Sequence, residues 1–196
     1  MLLSTLKQFN WIDIFAIILF IRIGYIALKN GFFVELLKLL GTILALYLSL
    51  HYYIIFSDYI ISRIGTKSVD TEFVRIIAFI ALAILGYLIF MLLRAVFSRF
   101  IQMEAVPTLH KWGGFILGIL RGVVLLSLLI FIFVISPFSY LTHSVKNAYY
   151  GKFLFKIAPT AYSNLWNGIA SKFMTQEKFN ESVWEAQKNL EAKPKR

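Results

Sequence analysis

Five ionisable residues, Asp13, Arg22, Glu35, Lys38 and Arg121, lie within or at the edge of long apolar segments of the sequence. A charged side chain inside a membrane-spanning helix is costly, and such residues commonly serve proton or ion pathways or form counter-ion pairs. A proton pathway usually places its acidic groups at mid-membrane, whereas both acidic members of this set lie near the ends of their segments. The sequence therefore favours a structural role for these charges in fixing helix register and depth, and it leaves a transport role as the alternative.

The link at residues 29–31 predicts a partner for one of these charges. It is tight enough to join two antiparallel helices, with Gly31 ending the first helix at positive φ. Arg22 lies eight residues before this turn and Glu35 five after it, so the two are offset by about 5 Å along the helix axis. We therefore predict an Arg22–Glu35 ion pair, with Lys38 extending toward the lipid headgroups.

Three glycines in the last long apolar segment predict close helix packing. Gly114, Gly118 and Gly122 recur every four residues, so they share one helical face on which another backbone can approach closely. Arg121 lies beside this face and requires a carboxylate, backbone carbonyls or water as a partner. The pattern predicts that this helix belongs to a membrane bundle.

Composition indicates the class of structure in which these residues lie. The chain has 196 residues, of which 59% are hydrophobic and only 15% charged, with a formal net charge of +10. Four segments, 11–28, 33–56, 76–93 and 113–135, are apolar enough and long enough to cross a bilayer of about 30 Å. We predict an all-α, polytopic membrane protein with four transmembrane helices in residues 1–136.

The remaining residues predict a different environment. Tyr162, Leu165, Trp166, Ile169 and Phe173 fall on one face of a helix, which predicts an interfacial amphipathic anchor within residues 137–175. The alternative is a short helix packed on the end of the bundle. Residues 176–196 are polar and are expected to form a flexible tail.

Signals for catalysis are absent from the sequence. It has no cysteine, its three histidines have no metal-ligand partner at i+3 or i+4, and residues 65–68 lack the glycine spacing of a phosphate loop. No basic stripe interleaved with aromatic residues indicates nucleic-acid binding. We expect neither an enzyme, a metal site nor a cofactor.

Five short motifs between residues 10 and 135 occur in an order and at a spacing that are found in a known protein family. The motifs are Trp11-Ile12-Asp13, Gly31-Phe32, Glu35-Leu36, His51-Tyr52-Tyr53 and Gly114-x3-Gly118-x2-Arg121-Gly122. In these motifs the chain resembles the colicin V production protein family of small bacterial inner-membrane proteins with four predicted spans. One departure is His110-Lys111, where family members often carry an aspartate just before the fourth helix.

The resemblance implies an accessory role in the production or export of the toxin colicin V and in envelope homeostasis, in the bacterial inner membrane. It supplies no catalytic residues. The expected partners are the lipid bilayer and other membrane proteins or further copies of the chain, with no nucleic acid. A small oligomeric transporter or channel that uses the intramembrane charges is the alternative.

The membrane orientation is left open by two opposing arguments. Counting lysines and arginines gives seven on the side of the termini and four on the other side, which favours termini inside. Relatives of the family that carry an extracytoplasmic protease domain favour termini outside.

Overall fold

The computed structural model describes residues 10–64, 70–100 and 107–191, and every regular element in them is helical. This confirms the all-α prediction. The helices are α1 (Trp11–Asn30), α2 (Phe32–Ile64), α3 (Thr71–Phe100), α4 (Pro107–Ile135), α5 (Ser139–Asn147), α6 (Gly151–Leu165) and α7 (Ser182–Glu191). A π-helical turn, Trp166–Ala170, and a last helical turn, Ser171–Phe173, continue from α6.

The four long helices, α1 to α4, contain spans that are long and apolar enough to cross a membrane. The prediction of four spans is therefore confirmed, and the chain is a multi-pass membrane protein. α2 has 33 residues, a length of about 50 Å that exceeds a hydrocarbon core of about 30 Å. We call end A the end of the bundle where α1 and α3 begin, and end B the opposite end.

Local sequence sets both ends of α1. Asn10 caps its start through a capping box, in which the Asn10 side chain accepts from the backbone of Asp13 and the Asp13 side chain accepts from the backbone of Asn10. Gly31 ends the helix with φ 76°, the only positive φ in the described residues. The prediction that Gly31 terminates α1 is confirmed.

Helix packing does not follow chain order. α1 packs mainly on α4, and α2 packs on both α3 and α4, whereas α1 and α2 scarcely touch. α4 is thus the common neighbour of the first two helices. The tight link at residues 29–31 joins α1 and α2 in sequence without making them packing partners.

An aromatic core fills end A. Phe131 of α4 stacks against Phe79 of α3 and Phe155 of α6, and Tyr53 of α2 meets Phe131 edge to face. α5 and α6 both pack against α4, and α6 also packs against α2. The C-terminal elements therefore complete the core of the membrane domain.

The last described segment differs from the predicted flexible tail. Residues Ser182–Glu191 form α7, whose Val183 and Leu190 are buried in the core. Lys156 of α6 also pairs with Glu191 at 3.0 Å. Two apolar residues spaced seven apart place one face of α7 on the bundle, and this spacing is the reason that a mostly polar segment docks.

Candidate functional site

Glu35, in the first turn of α2, is the centre of a buried ion cluster toward end B. Its side chain is completely buried. Arg121 Nη2 of α4 lies 3.0 Å from Oε2 of Glu35. The other carboxylate oxygen, Oε1, accepts hydrogen bonds from Lys38 Nζ at 3.2 Å and from Asn30 Nδ2 at 2.6 Å. The cluster thereby connects α2 to α4 and to the end of α1.

The charges in this cluster do not cancel. Lys38 and Arg121 supply two formal positive charges to one carboxylate, Glu35. Arg121 Nη2 approaches Glu35 Oε2 as an ion pair without the alignment of a hydrogen bond, and the buried Arg121 Nε also has no hydrogen-bond partner. Removing the carboxylate from such a cluster would leave the buried Arg121 and the partly exposed Lys38 without this counter-charge.

The predicted Arg22–Glu35 pair is wrong. Arg22 is exposed on α1, and Glu35 instead pairs with Arg121 and Lys38. The prediction failed because it assumed that consecutive antiparallel helices pack together, whereas α1 packs on α4. Lys38 is only partly exposed and turns toward Glu35.

The structure places the three glycines of α4 against α1. A Cβ at Gly114 would lie 2.7 Å from the carbonyl carbon of Gly31, closer than real Cβ contacts allow. A Cβ at Gly118 would overlap the Cβ of Ala27 and would lie 3.5 Å from Glu35 Oε2. The third glycine, Gly122, has ordinary contact distances of 3.4 Å. Close approach is thus required at Gly114 and Gly118.

Asp13 is buried at end A and has a bonding role. Its carboxylate accepts from the backbone N–H groups of Asn10, Tyr149 and Tyr150, each at 3.0 Å. Asn10 Nδ2 also donates to the carbonyl of Ser144 at 2.9 Å. These bonds fix the start of α1 to the connection between α5 and α6.

The five residues of the predicted interfacial anchor do not share one environment. Tyr162 and Trp166 are buried in the protein and Leu165 is partly buried. The structure therefore corrects the anchor prediction for Tyr162 and Trp166, which face the bundle as in the alternative stated above. Ile169 and Phe173 are exposed, Phe173 to 82%, and lipid contact at these two positions stays a prediction.

A second polar cluster, which the sequence did not indicate, surrounds His51 of α2. Nδ1 of His51 lies 2.8 Å from the Tyr162 hydroxyl, and Nε2 lies 2.7 Å from Glu177 Oε2. Tyr52 donates from its hydroxyl to the same carboxylate at 2.9 Å. The Tyr162 hydroxyl also accepts from the backbone N–H of Asn180 at 3.0 Å. We call these residues the His51 cluster.

Aromatic rings enclose the His51 cluster. The imidazole lies between Tyr47 and Trp166, with centroid distances of 5.2 and 5.1 Å. Burial raises the pKa of the Tyr162 phenol above its usual range, so the hydroxyl stays protonated. The one sequence signal for this cluster was a histidine, His51, within an apolar segment. Its partners could not be predicted because they lie more than 100 residues later in the chain.

Ser127 of α4 bonds two backbone groups of α6 beside Pro159. Pro159 lies inside α6 and cannot donate to the carbonyl four residues before it, that of Phe155. The Ser127 hydroxyl donates to this carbonyl at 3.4 Å and accepts from the N–H of Ala158 at 2.7 Å. Both backbone groups are thereby satisfied within the core.

Together these contacts define what the site is able to do. The buried carboxylates of Asp13 and Glu35 are both bound to groups that hold helices in place. Among the residues that the structure describes, no group of three or more His, Asp or Glu side chains is arranged to hold a metal ion. The two carboxylates therefore help to fix the positions of α1, α2 and α4.

Comparison with known proteins gives one match. Residues 12–159 match the family model described as Colicin V production protein. The match confirms the resemblance stated above, and it includes all four spans and most of α6. No curated protein and no solved structure matches the chain.

Proposed function

Because the chain belongs to the colicin V production protein family, we propose that it acts as an accessory membrane protein in colicin V production. We further propose that it resides in the bacterial inner membrane, contributes to envelope homeostasis and works through contacts with other membrane proteins. The family match is the observation that carries this proposal. The chain itself would catalyse no reaction.

The use of the intramembrane charges supports an accessory role. Glu35 is held by Arg121, Lys38 and Asn30, and Asp13 is held by three backbone N–H groups. A proton carrier must exchange its proton with water or with a neighbouring acidic group, and these carboxylates are instead committed to helix contacts. This supports an accessory scaffold over a transporter.

The surface of α3 supports contact with further proteins. Only 22% of the residues in the most apolar part of this helix are buried, the lowest share of the four spans. Ile84, Leu88 and Leu92 are among its exposed side chains. Such a helix contacts either lipid or another helix, and we propose that partner membrane proteins or a second copy pack there.

Complementation in a producing strain tests the proposal. A bacterium that makes colicin V, with this gene deleted, is supplied with the wild-type gene or with Gly118→Ile, and released toxin is measured by growth inhibition of a sensitive strain. We expect reduced toxin release in the deletion strain and restoration by the wild-type gene alone. Membrane abundance, measured by immunoblot, separates loss of activity from loss of the protein. Unchanged toxin release after deletion would refute the accessory role.

Reconstitution tests the alternative of a transporter or channel. The purified chain is incorporated into liposomes with a pH-sensitive dye, and proton flux is compared for wild type and Glu35→Gln. The accessory role predicts the flux of protein-free liposomes in both cases. A saturable flux that is lost in Glu35→Gln would favour transport instead.

Orientation and membrane location are tested separately. A C-terminal fusion to alkaline phosphatase, which is active only outside the cytoplasm, reports the side on which the termini lie. Fractionation of inner and outer membranes of the same cells reports the compartment. Recovery in the outer membrane would overturn the proposed location.

A further inference from the structure

An apolar groove with a volume of about 410 Å³ runs along the outer surface of α2. This volume lies in the range of about 300–1,000 Å³ that is typical of ligand pockets. Apart from the hydroxyls of Tyr47 and Tyr52, its lining side chains carry no oxygen or nitrogen. It is lined by Leu40, Ile43, Leu44, Tyr47, Leu48, Tyr52, Phe90, Leu165, Ile169, Ala170, Phe173 and Met174.

The π-helical turn after α6 shapes one wall of this groove. Within this turn Trp166 points inward to stack on His51, whereas Ile169 lines the groove and is exposed. Phe173, in the following turn, extends the same wall. The wider π turn directs neighbouring residues to both sides at once, and such turns are frequent at functional sites.

The length of the groove matches one leaflet of a bilayer. One end of the groove lies at Leu40 and Phe90. The other end, which is nearer to end A, lies at Tyr52 and Met174. The rise from Leu40 to Tyr52 is about 18 Å along α2, close to half of a hydrocarbon core of about 30 Å. A helix that crosses the whole membrane would need a groove about twice as long.

The end of the groove at Tyr52, which we call its mouth, has residues that are typical of a membrane interface. Tyr47 and Tyr52 lie there with their hydroxyls bonded to Met174 and Glu177, and tyrosines are enriched at the headgroup level. Lys172 and Lys178 are exposed in the segment that forms and follows the wall. Exposed lysines near a membrane surface attract anionic headgroups.

From the length, lining and charge of the groove, we propose that it is a binding site for one acyl chain of an anionic phospholipid. The chain lies against α2 with its end near Leu40 and Phe90. The headgroup lies at end A beside Lys172. The bound lipid would cover the apolar wall formed by Ile169 and Phe173 and so fix the C-terminal segment to the membrane domain.

Photolabelling of the full chain in liposomes tests this site. The probe is phosphatidylglycerol with a diazirine near the end of one acyl chain, in vesicles of phosphatidylethanolamine and phosphatidylglycerol, and labelled residues are located by mass spectrometry. We expect labelling concentrated around Leu40 and Phe90. Equal labelling of Leu85 and Leu92, which are exposed on α3 outside the groove, would show ordinary surrounding lipid and overturn the proposal.

Two substitutions that fill the groove are compared with a matched control. Leu48→Trp and Ile169→Trp each add bulk inside the groove, and we expect either to lower labelling around Leu40 several-fold. Leu88→Trp adds the same bulk to an exposed position of α3 that does not line the groove, and it should leave labelling unchanged. Labelling that is unaffected by both groove variants would overturn the proposal.

The headgroup and the identity of the occupant have their own tests. The probe is replaced by its phosphatidylcholine analogue, or Lys172 is replaced by glutamine. We expect either change to lower labelling by about fivefold, which corresponds to the attraction of one lysine to an anionic membrane surface. Equal labelling by both probes would refute the anionic preference.

The chain has no cysteine, so Leu48→Cys provides a single thiol. Disulfide-linked dimers through this thiol would show that a second copy, and not a lipid, occupies the groove, and would overturn the proposal.

Discussion

Glu35 and Arg121 form a buried ion pair, 3.0 Å between Oε2 and Nη2, that joins α2 to α4 across 86 positions of sequence. The pair is asymmetric, because Glu35 also binds Lys38 and Asn30 through its other oxygen, whereas Glu35 is the one carboxylate that pairs with Arg121 among the described residues. The two partners are therefore not equivalent to substitution.

We predict that Glu35→Gln destabilises the protein more than Arg121→Leu. The first change leaves the buried Arg121, together with the partly exposed Lys38, without a carboxylate, and breaking a buried pair costs about 3–5 kcal/mol. The second change leaves Glu35 still paired with Lys38. Unfolding free energies in detergent, measured with increasing denaturant, compare the two. A larger loss in Arg121→Leu would contradict the asymmetry.

Gly118→Ala should destabilise the contact between α1 and α4, and a second change should restore it. The added methyl would overlap Ala27 Cβ, and overpacking of this kind costs about 1–3 kcal/mol. The double variant with Ala27→Gly removes the obstructing atom, so we expect its melting temperature to recover. Gly168→Ala is the control, since a Cβ there meets nothing within 4 Å. Failure of the double variant to recover would refute the predicted overlap.

Ser127→Ala should cost more than Ser49→Ala, although both serines are fully buried. Loss of the Ser127 hydroxyl leaves the Ala158 N–H without that partner and the Phe155 carbonyl facing a proline. Unsatisfied buried groups cost about 1–3 kcal/mol. Ser49 donates instead to the carbonyl of Leu46 in its own helix. Thermal unfolding followed by circular dichroism measures the difference, and equal melting temperatures would argue against a bridging role.

Tyr162→Phe should release the segment that leads to α7. The hydroxyl bonds both His51 and the backbone of Asn180, and Asn180 Nδ2 in turn donates to the carbonyl of Leu50 at 2.7 Å. Hydrogen exchange of residues 174–191 should become faster in the variant, with α1 to α4 unchanged. Tyr140→Phe, at an exposed position, provides the control. Unchanged exchange in Tyr162→Phe would show that the His51 cluster does not hold this segment.

Much of the architecture could be predicted because it depends on local properties. Span length and apolar content follow directly from the residues in each segment, so four spans were predictable. Gly31 as a terminator with positive φ, at 76°, and Asp13 at the start of the first helix are likewise local features. The family could also be identified from the order of short motifs, and its model matches residues 12–159.

The partners of the polar residues were decided by the tertiary structure. The sequence marked Glu35 and Arg121 as charges that need partners, yet it assigned Arg22 to Glu35 because neighbouring helices were assumed to pack. In a bilayer all apolar helix faces are similarly favourable toward lipid, so hydrophobicity does not specify which helices become neighbours. Close contact at Gly114 and Gly118 is compatible with several partners until the bundle has assembled.

The C-terminal region shows the same division between sequence and structure. An amphipathic face through Tyr162 and Trp166 is visible in sequence, but its periodicity is the same whether it faces lipid or protein. The structure turns these two residues toward His51 and leaves Phe173 exposed. The sequence by itself determined that this is a four-span helical membrane protein with charges to be paired. Only the tertiary structure decided the pairs, because contacts between distant segments depend on how the helices pack together.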